Sequence, residues 1–237
     1  MKRINSGIYF AIALIAASLI FGLLFYASRS TKDTISVVGY SSKLVNADSL
    51  KWNFTLVRTV PLDGLSDGYS DINNDLNFVK STLIGKVGID KENILVSPIN
   101  LEDKYEFNKH SGYNIVQNVS VIAQGEYLDR LSEFALSPAE FLDQNIIFRS
   151  SYLSFTLSDL SKLKRKLLAD ATIDAQKRAL AIAKSAKNQI GKLKSLRVGV
   201  FQITEPLSTE VSNSGIYNTS SKEKTISVTV NANFYLK

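Results

Sequence analysis

Twenty consecutive residues, Ile8 to Ala27 (IYFAIALIAASLIFGLLFYA), carry no charge and stand between Lys2-Arg3 and Arg29. An α-helix of that length crosses roughly 30 Å of hydrocarbon. No stripe along the run is polar enough to form a solvent face, which argues against a buried core helix. A cleavable signal has an apolar region of about 7–15 residues that closes on a small-x-small site. Here the run is longer, and its best exit, Phe25-Tyr26-Ala27, sets a bulky Phe ahead of the cut. The run therefore reads as a retained signal anchor. Lys2 and Arg3 precede it with the amino terminus, whereas Arg29 and Lys32 beyond it are partly offset by Asp33; the small difference leads to the expectation of a cytoplasmic N-terminus and an exported body. The expected organisation is a cytoplasmic N-terminus over 1–7, a transmembrane anchor over 8–27, a linker over 28–33 and an exported domain over 34–237. That domain divides naturally into two lobes, about 34–144 and 145–237.

The net charge of +6 overstates how basic the exported part is. Lys2, Arg3 and Arg29 lie at the anchor, leaving 25 basic against 22 acidic residues beyond it. Nucleic-acid binding needs a stronger, clustered excess, so no nucleic-acid partner is expected. Cysteine is absent and methionine occurs only at position 1. Disulfide scaffolding, lipoprotein processing and thiol chemistry are all excluded, and the body must be held by its core.

From Ser49 to Val60, Leu50, Trp52, Phe54, Leu56 and Val60 alternate with Lys51, Asn53, Thr55 and Thr59, the period of a half-buried strand. Ile226, Val228, Val230, Ala232, Phe234 and Leu236 repeat the pattern near the C-terminus. Between them, spacing of three and four predicts a helix capped by Asp67, with Tyr69, Ile72, Leu76, Val79, Leu83 and Val87 inward and Gly88 as its stop. Strands are expected over 34–38, 92–104, 113–124, 145–156 and 193–204, with a long exposed connection from Glu106 to Gly112. A short helix is expected over 126–136. A long helix is expected over 158–190, with Leu160, Leu163 and Leu167 followed by Ala171, Ala175, Ala179, Ala183 and Ala186 on its inner face. Small residues there let a sheet or another helix approach closely. Hairpins outnumber crossovers, so the expected class is α+β with mostly antiparallel sheets packed with helices.

Several segments together resemble the SIMPL domain family of bacterial envelope proteins, formerly a domain of unknown function. They are Ile35-Ser-Val-Val-Gly39, Ala47-Asp48 ahead of the alternating strand, Gly88-Ile89 with Asn93-Ile94, and Asp170-Ala171-Thr-Ile-Asp174-Ala175-Gln-Lys-Arg178-Ala179 with Ala183, Gly191 and the strand Leu196 to Ile203. Members commonly carry Pro-Asp where this chain has Ala47-Asp48. The resemblance implies an exported or anchored α+β domain, often oligomeric, linked to envelope stress tolerance or surface antigens. With the anchor, it implies a single-pass protein of the bacterial cytoplasmic membrane whose C-terminal domain faces the periplasm or exterior. It supplies no catalytic residues.

Candidate sites are few. His110 is the only histidine and, in Asn108-Lys-His-Ser111-Gly112, reads as an exposed turn residue. Hydrolytic triads and zinc sites need more partners than it can find, so neither a catalytic set, a metal site nor a cofactor is expected. Acids such as Glu102-Asp103 and Glu205 have no spacing that marks an acid–base pair. Lys162, Lys164, Arg165 and Lys166 make the long helix basic and could bind an anionic ligand or acidic partner, though a solvated face with pairs such as Asp174 to Arg178 accounts for most of this charge. The leading expectation is a non-enzymatic, self-assembling envelope protein that contributes to envelope integrity or stress tolerance; the alternative is a binding module acting through the basic helix.

Overall fold

The structure, a computed structural model, describes residues 6–29, 33–137 and 139–237. Residues 1–5 of the expected N-terminus, 30–32 of the expected linker and Pro138 lie outside the described residues. The fold is α+β with antiparallel sheets. Its elements are α1 (Ser6–Arg29), β1 (Thr34–Asn46), β2 (Ser49–Val60), α2 (Leu65–Thr82), β3 (Ile94–Val96), β4 (Asn100–Glu106), β5 (Lys109–Gln124), α3 (Tyr127–Leu136), α4 (Ala139–Leu142), β6 (Phe148–Thr156), α5 (Leu160–Ser185), β7 (Ile190–Val198), β8 (Gln202–Thr204) and β9 (Glu223–Leu236). They form two compact units, each assembled from separated stretches of the chain. One comprises 1–40, 170–199 and 229–237, the other 41–169 and 200–228.

α1 contains the span Gly7–Tyr26, long and apolar enough to cross a membrane. Its large apolar side chains from Ile8 to Tyr26 are all at least half exposed, so the helix has no protein core of its own to bury them.

In the larger unit, β2 runs antiparallel between β5 and β6, while β3 and β4 pair with the far side of β5. The alternation read from β2 is the real one: Leu50, Trp52, Phe54 and Leu56 are buried. They meet Ile72, Leu76 and Val79 of α2 and Leu83 just beyond it, together with Leu128 and Leu131 of α3. Gly68, rather than Tyr69, makes the first close contact, since a Cβ there would lie 2.6 Å from Val60 and 2.5 Å from Ile115. Asp67 is not the cap. Gly64 holds that position, and Asp67 sits in the first turn, where its charge complements the helix dipole. The helix passes into a π-turn, Leu83–Val87, and Gly88 ends it at φ 83° as expected.

The β4–β5 connection is tight, not long. Phe107 and Asn108 take φ values of 50° and 65°, the pair of left-handed residues that a two-residue hairpin turn demands. Phe107 is an unusual residue for that geometry, so Asn108 alone signals the turn in the sequence.

In the smaller unit, residues 229–236 of β9 lie between β1 and β7, and Val230, Ala232 and Phe234 are buried on one face. β1 continues past Gly39 instead of stopping there. α5 ends at Ser185, before the expected 190: Lys187 adopts φ 54°. Its N–H bonds the Lys184 carbonyl and Asn188 N–H bonds that of Ala183, the paired bonds of a Schellman stop. Ala171, Ala175, Ala179 and Ala183 are buried as predicted, but Ala186 falls beyond the helix and is exposed. The strand expected over 193–204 is two strands, parted at Gly199, whose N–H turns to the Thr229 carbonyl.

Candidate functional site

The larger unit carries an apolar groove of about 710 Å³, within the range of small-molecule sites. One wall is α3 and α4 with the segment that follows them: Ala135, Leu136, Leu142, Ile146 and Ile147. The other is β6, through Phe148, Ser151, Leu153 and Phe155. Every lining residue is uncharged; hydroxyls come from Ser132, Ser151, Tyr152 and Ser220.

Aromatic packing builds the floor. Phe148 has its ring centroid 5.1 Å from Phe141, 4.8 Å from Phe54 and 5.7 Å, edge-on, from Trp52. Edge-on and tilted contacts of this kind add about 0.5–1.5 kcal/mol each beyond burial. The indole N–H of Trp52 donates to Ser151 Oγ at 2.9 Å, which satisfies the one polar atom of a fully buried side chain. Ser151 thus joins the core to the groove. The groove is a tertiary feature, and no residue pattern along the chain announces it.

The basic cluster is split. Lys164 Nζ lies 5.2 Å from the centre of the Phe201 ring, a cation–π contact. Lys162, Arg165 and Lys166 share a different side of the helix, three and four residues apart, and are exposed.

His110 does not sit in the turn. It belongs to β5, half-buried between the rings of Tyr105 and Tyr113, with centroids 5.4 and 4.9 Å away. Its Nε2 is 3.5 Å from Asp103 Oδ1 and makes no hydrogen bond. Glu102 is engaged elsewhere, accepting from Arg149 at 2.7 Å. Among the described residues, no group of three or more His, Cys, Asp or Glu could hold a metal ion.

Two polar constructions escaped the sequence. Arg58 donates twice to Asp75, Nε to Oδ2 and Nη2 to Oδ1, each at 2.6 Å, pinning α2 to β2. That carboxylate raises the Arg58 pKa, against the smaller effect of burial. Lys224 has a fully buried side chain, and its ammonium donates to the carbonyls of Asn218 and Ser221 at 2.6 and 2.7 Å. Burial lowers its pKa. Asn218 Oδ1 accepts from the Ser220 and Ser221 N–H groups, so the lysine closes a loop already turned by that side chain.

In the smaller unit, Asp174 accepts the Tyr40 backbone N–H at 2.8 Å and Arg178 Nε at 2.7 Å. The first of these bonds, ahead of the arginine, holds its pKa below the usual carboxylate value. The i,i+4 pair expected on this helix is present, and it also ties β1 to α5.

A family model described as SIMPL, protein of unknown function (DUF541), matches residues 35–234, which is most of the chain. No curated protein matches it.

Proposed function

We propose a function on this footing: the chain belongs to the SIMPL family. It is a membrane-tethered envelope protein, non-enzymatic, whose exported domain assembles with copies of itself and contributes to envelope integrity or stress tolerance. α1 is the tether in the bacterial cytoplasmic membrane. Lys2 and Arg3 favour a cytoplasmic N-terminus, which sends residues 34–237 to the periplasm or exterior.

One observation supports assembly above the rest. In β7, Leu193, Leu196 and Val198 pair with Phe234, Ala232 and Val230 of β9 and so point to the same face. The β9 residues are buried, whereas the β7 residues are 45%, 37% and 44% exposed. An apolar face continues past its own cover onto an edge strand, which suits burial against a second copy. Lys192, Lys194 and Arg197 alternate with these positions. Charges of one sign on an edge discourage indiscriminate strand pairing, so the contact is made through the face. Any protection against oxidants works without thiol or thioether scavenging, because the body has no Cys or Met.

Lysine-reactive crosslinking in intact cells, followed by N-terminal sequencing of the recovered chain, tests both halves. Expected are crosslinked multimers whose chains retain the apolar run. Chains beginning near Ser28 would make the run a removed signal, and a single uncrosslinked band would oppose assembly.

A further inference from the structure

β6 ends its sheet, and its outer edge is only partly used. The Thr156 carbonyl accepts the Asp48 N–H, so Thr156, Ser154 and Tyr152 turn their backbone groups to β2. By the alternation of an antiparallel ladder, Phe155, Leu153 and Ser151 turn theirs outward. Phe155 finds a partner there: its N–H donates to the Thr219 carbonyl at 2.7 Å. Past that point no described strand pairs with this edge, and Leu153 and Ser151 face the apolar groove.

We propose that this edge and groove form a strand-addition site for an extended segment of another polypeptide, apolar at alternate positions and uncharged where it enters. The bond between Phe155 and Thr219 shows that the edge takes a backbone partner and fixes where a further one would continue. An extended peptide supplies N–H and C=O groups to Leu153 and Ser151 while every second side chain drops into the groove. An aliphatic small molecule would fill the groove but leave those backbone groups unpaired. The uncharged lining excludes a charged insert, which would lose its hydration without compensation. Leu136, Leu142 and Ile147 project at the rim, exposed, where they would cover the far side of an inserted strand. The site lies on a different unit from β7, so it stands whether or not the chain assembles.

The test uses the full chain in lipid nanodiscs and a fluorescent probe peptide alternating threonine with valine. Two further probes carry backbone N-methyl groups on the odd or on the even residues. Only one of these sets faces β6 in a strand-addition complex. Expected is saturable binding that also alters the emission of Trp52, the single tryptophan. One N-methylated probe should bind at least about tenfold more weakly and the other nearly as well as the parent. Leu136→Lys and Ile147→Lys, at exposed positions that leave the fold intact by circular dichroism, should weaken the parent probe similarly. No saturable binding, equal behaviour of the two methylated probes, or undiminished binding to both variants would overturn the proposal.

Discussion

Gly39 of β1 approaches Ala175 of α5 so closely that a Cβ built on the glycine would lie 2.7 Å from the alanine's own Cβ and 2.6 Å from its backbone nitrogen. The Ala171 carbonyl oxygen would be 2.2 Å away. Real Cβ contacts are not that short, and two of the three obstacles are backbone. A glycine on the strand and the small residues on the helix are thus one device, allowing the strand to rest directly on the helix.

Gly39→Ala should destabilise the domain by about 1–3 kcal/mol, the usual cost of overpacking a tight contact. Gly85→Ala is the control, because nothing lies within 4 Å of a Cβ there. Denaturant titration of both variants checks this: equal midpoints would mean that β1 and α5 separate without loss.

Arg58→Ala should be more damaging than replacement of Arg58 and Asp75 together. The single change strands a buried carboxylate, at a cost of about 3–5 kcal/mol for a fully buried pair and less here because Arg58 is partly exposed. Arg58→Met with Asp75→Leu removes both charges while filling the space. A double-mutant cycle reads the coupling, and strictly additive effects would show that the fork contributes nothing.

Lys224 gives a pH signature on the alkaline side. Burial depresses its folded pKa below the ordinary 10.5, so in that interval the unfolded chain binds more protons than the folded one. Stability therefore rises with pH through the interval and levels off above 10.5. Relative to Lys224→Met, the wild-type chain should gain stability between neutral pH and that limit in pH-dependent denaturation curves. A difference that stays constant with pH would show that the buried ammonium titrates as it does in water.

Elements with a clear period were the most legible. β2 and β9 alternate because one face of each is buried, and α5 shows its Ala stripe because β1 presses on it. What stayed hidden depends on residues that break their usual habits or on neighbours far along the chain. Lys187 ends α5 in a left-handed conformation usually given to glycine, and Phe107 turns a hairpin with no turn residue at its first position. Asp67 looked like a cap, but the chain had already entered the helix at Leu65. The candidate groove was illegible for another reason: β6 meets α3 and α4 only after β2 has brought them to one core. Four cations within five residues, Lys162, Lys164, Arg165 and Lys166, were easy to see, and the Phe201 ring that meets Lys164 was not.

The mass of the full chain in detergent or nanodiscs, measured by light scattering with the detergent or lipid contribution removed, tests the account most directly. Self-assembly through the β7 face predicts a protein mass several times the 26.2 kDa of one chain, falling toward one chain when Leu196→Lys places a charge on that face. A single-chain mass at high concentration, or a multiple unchanged by Leu196→Lys, would contradict it.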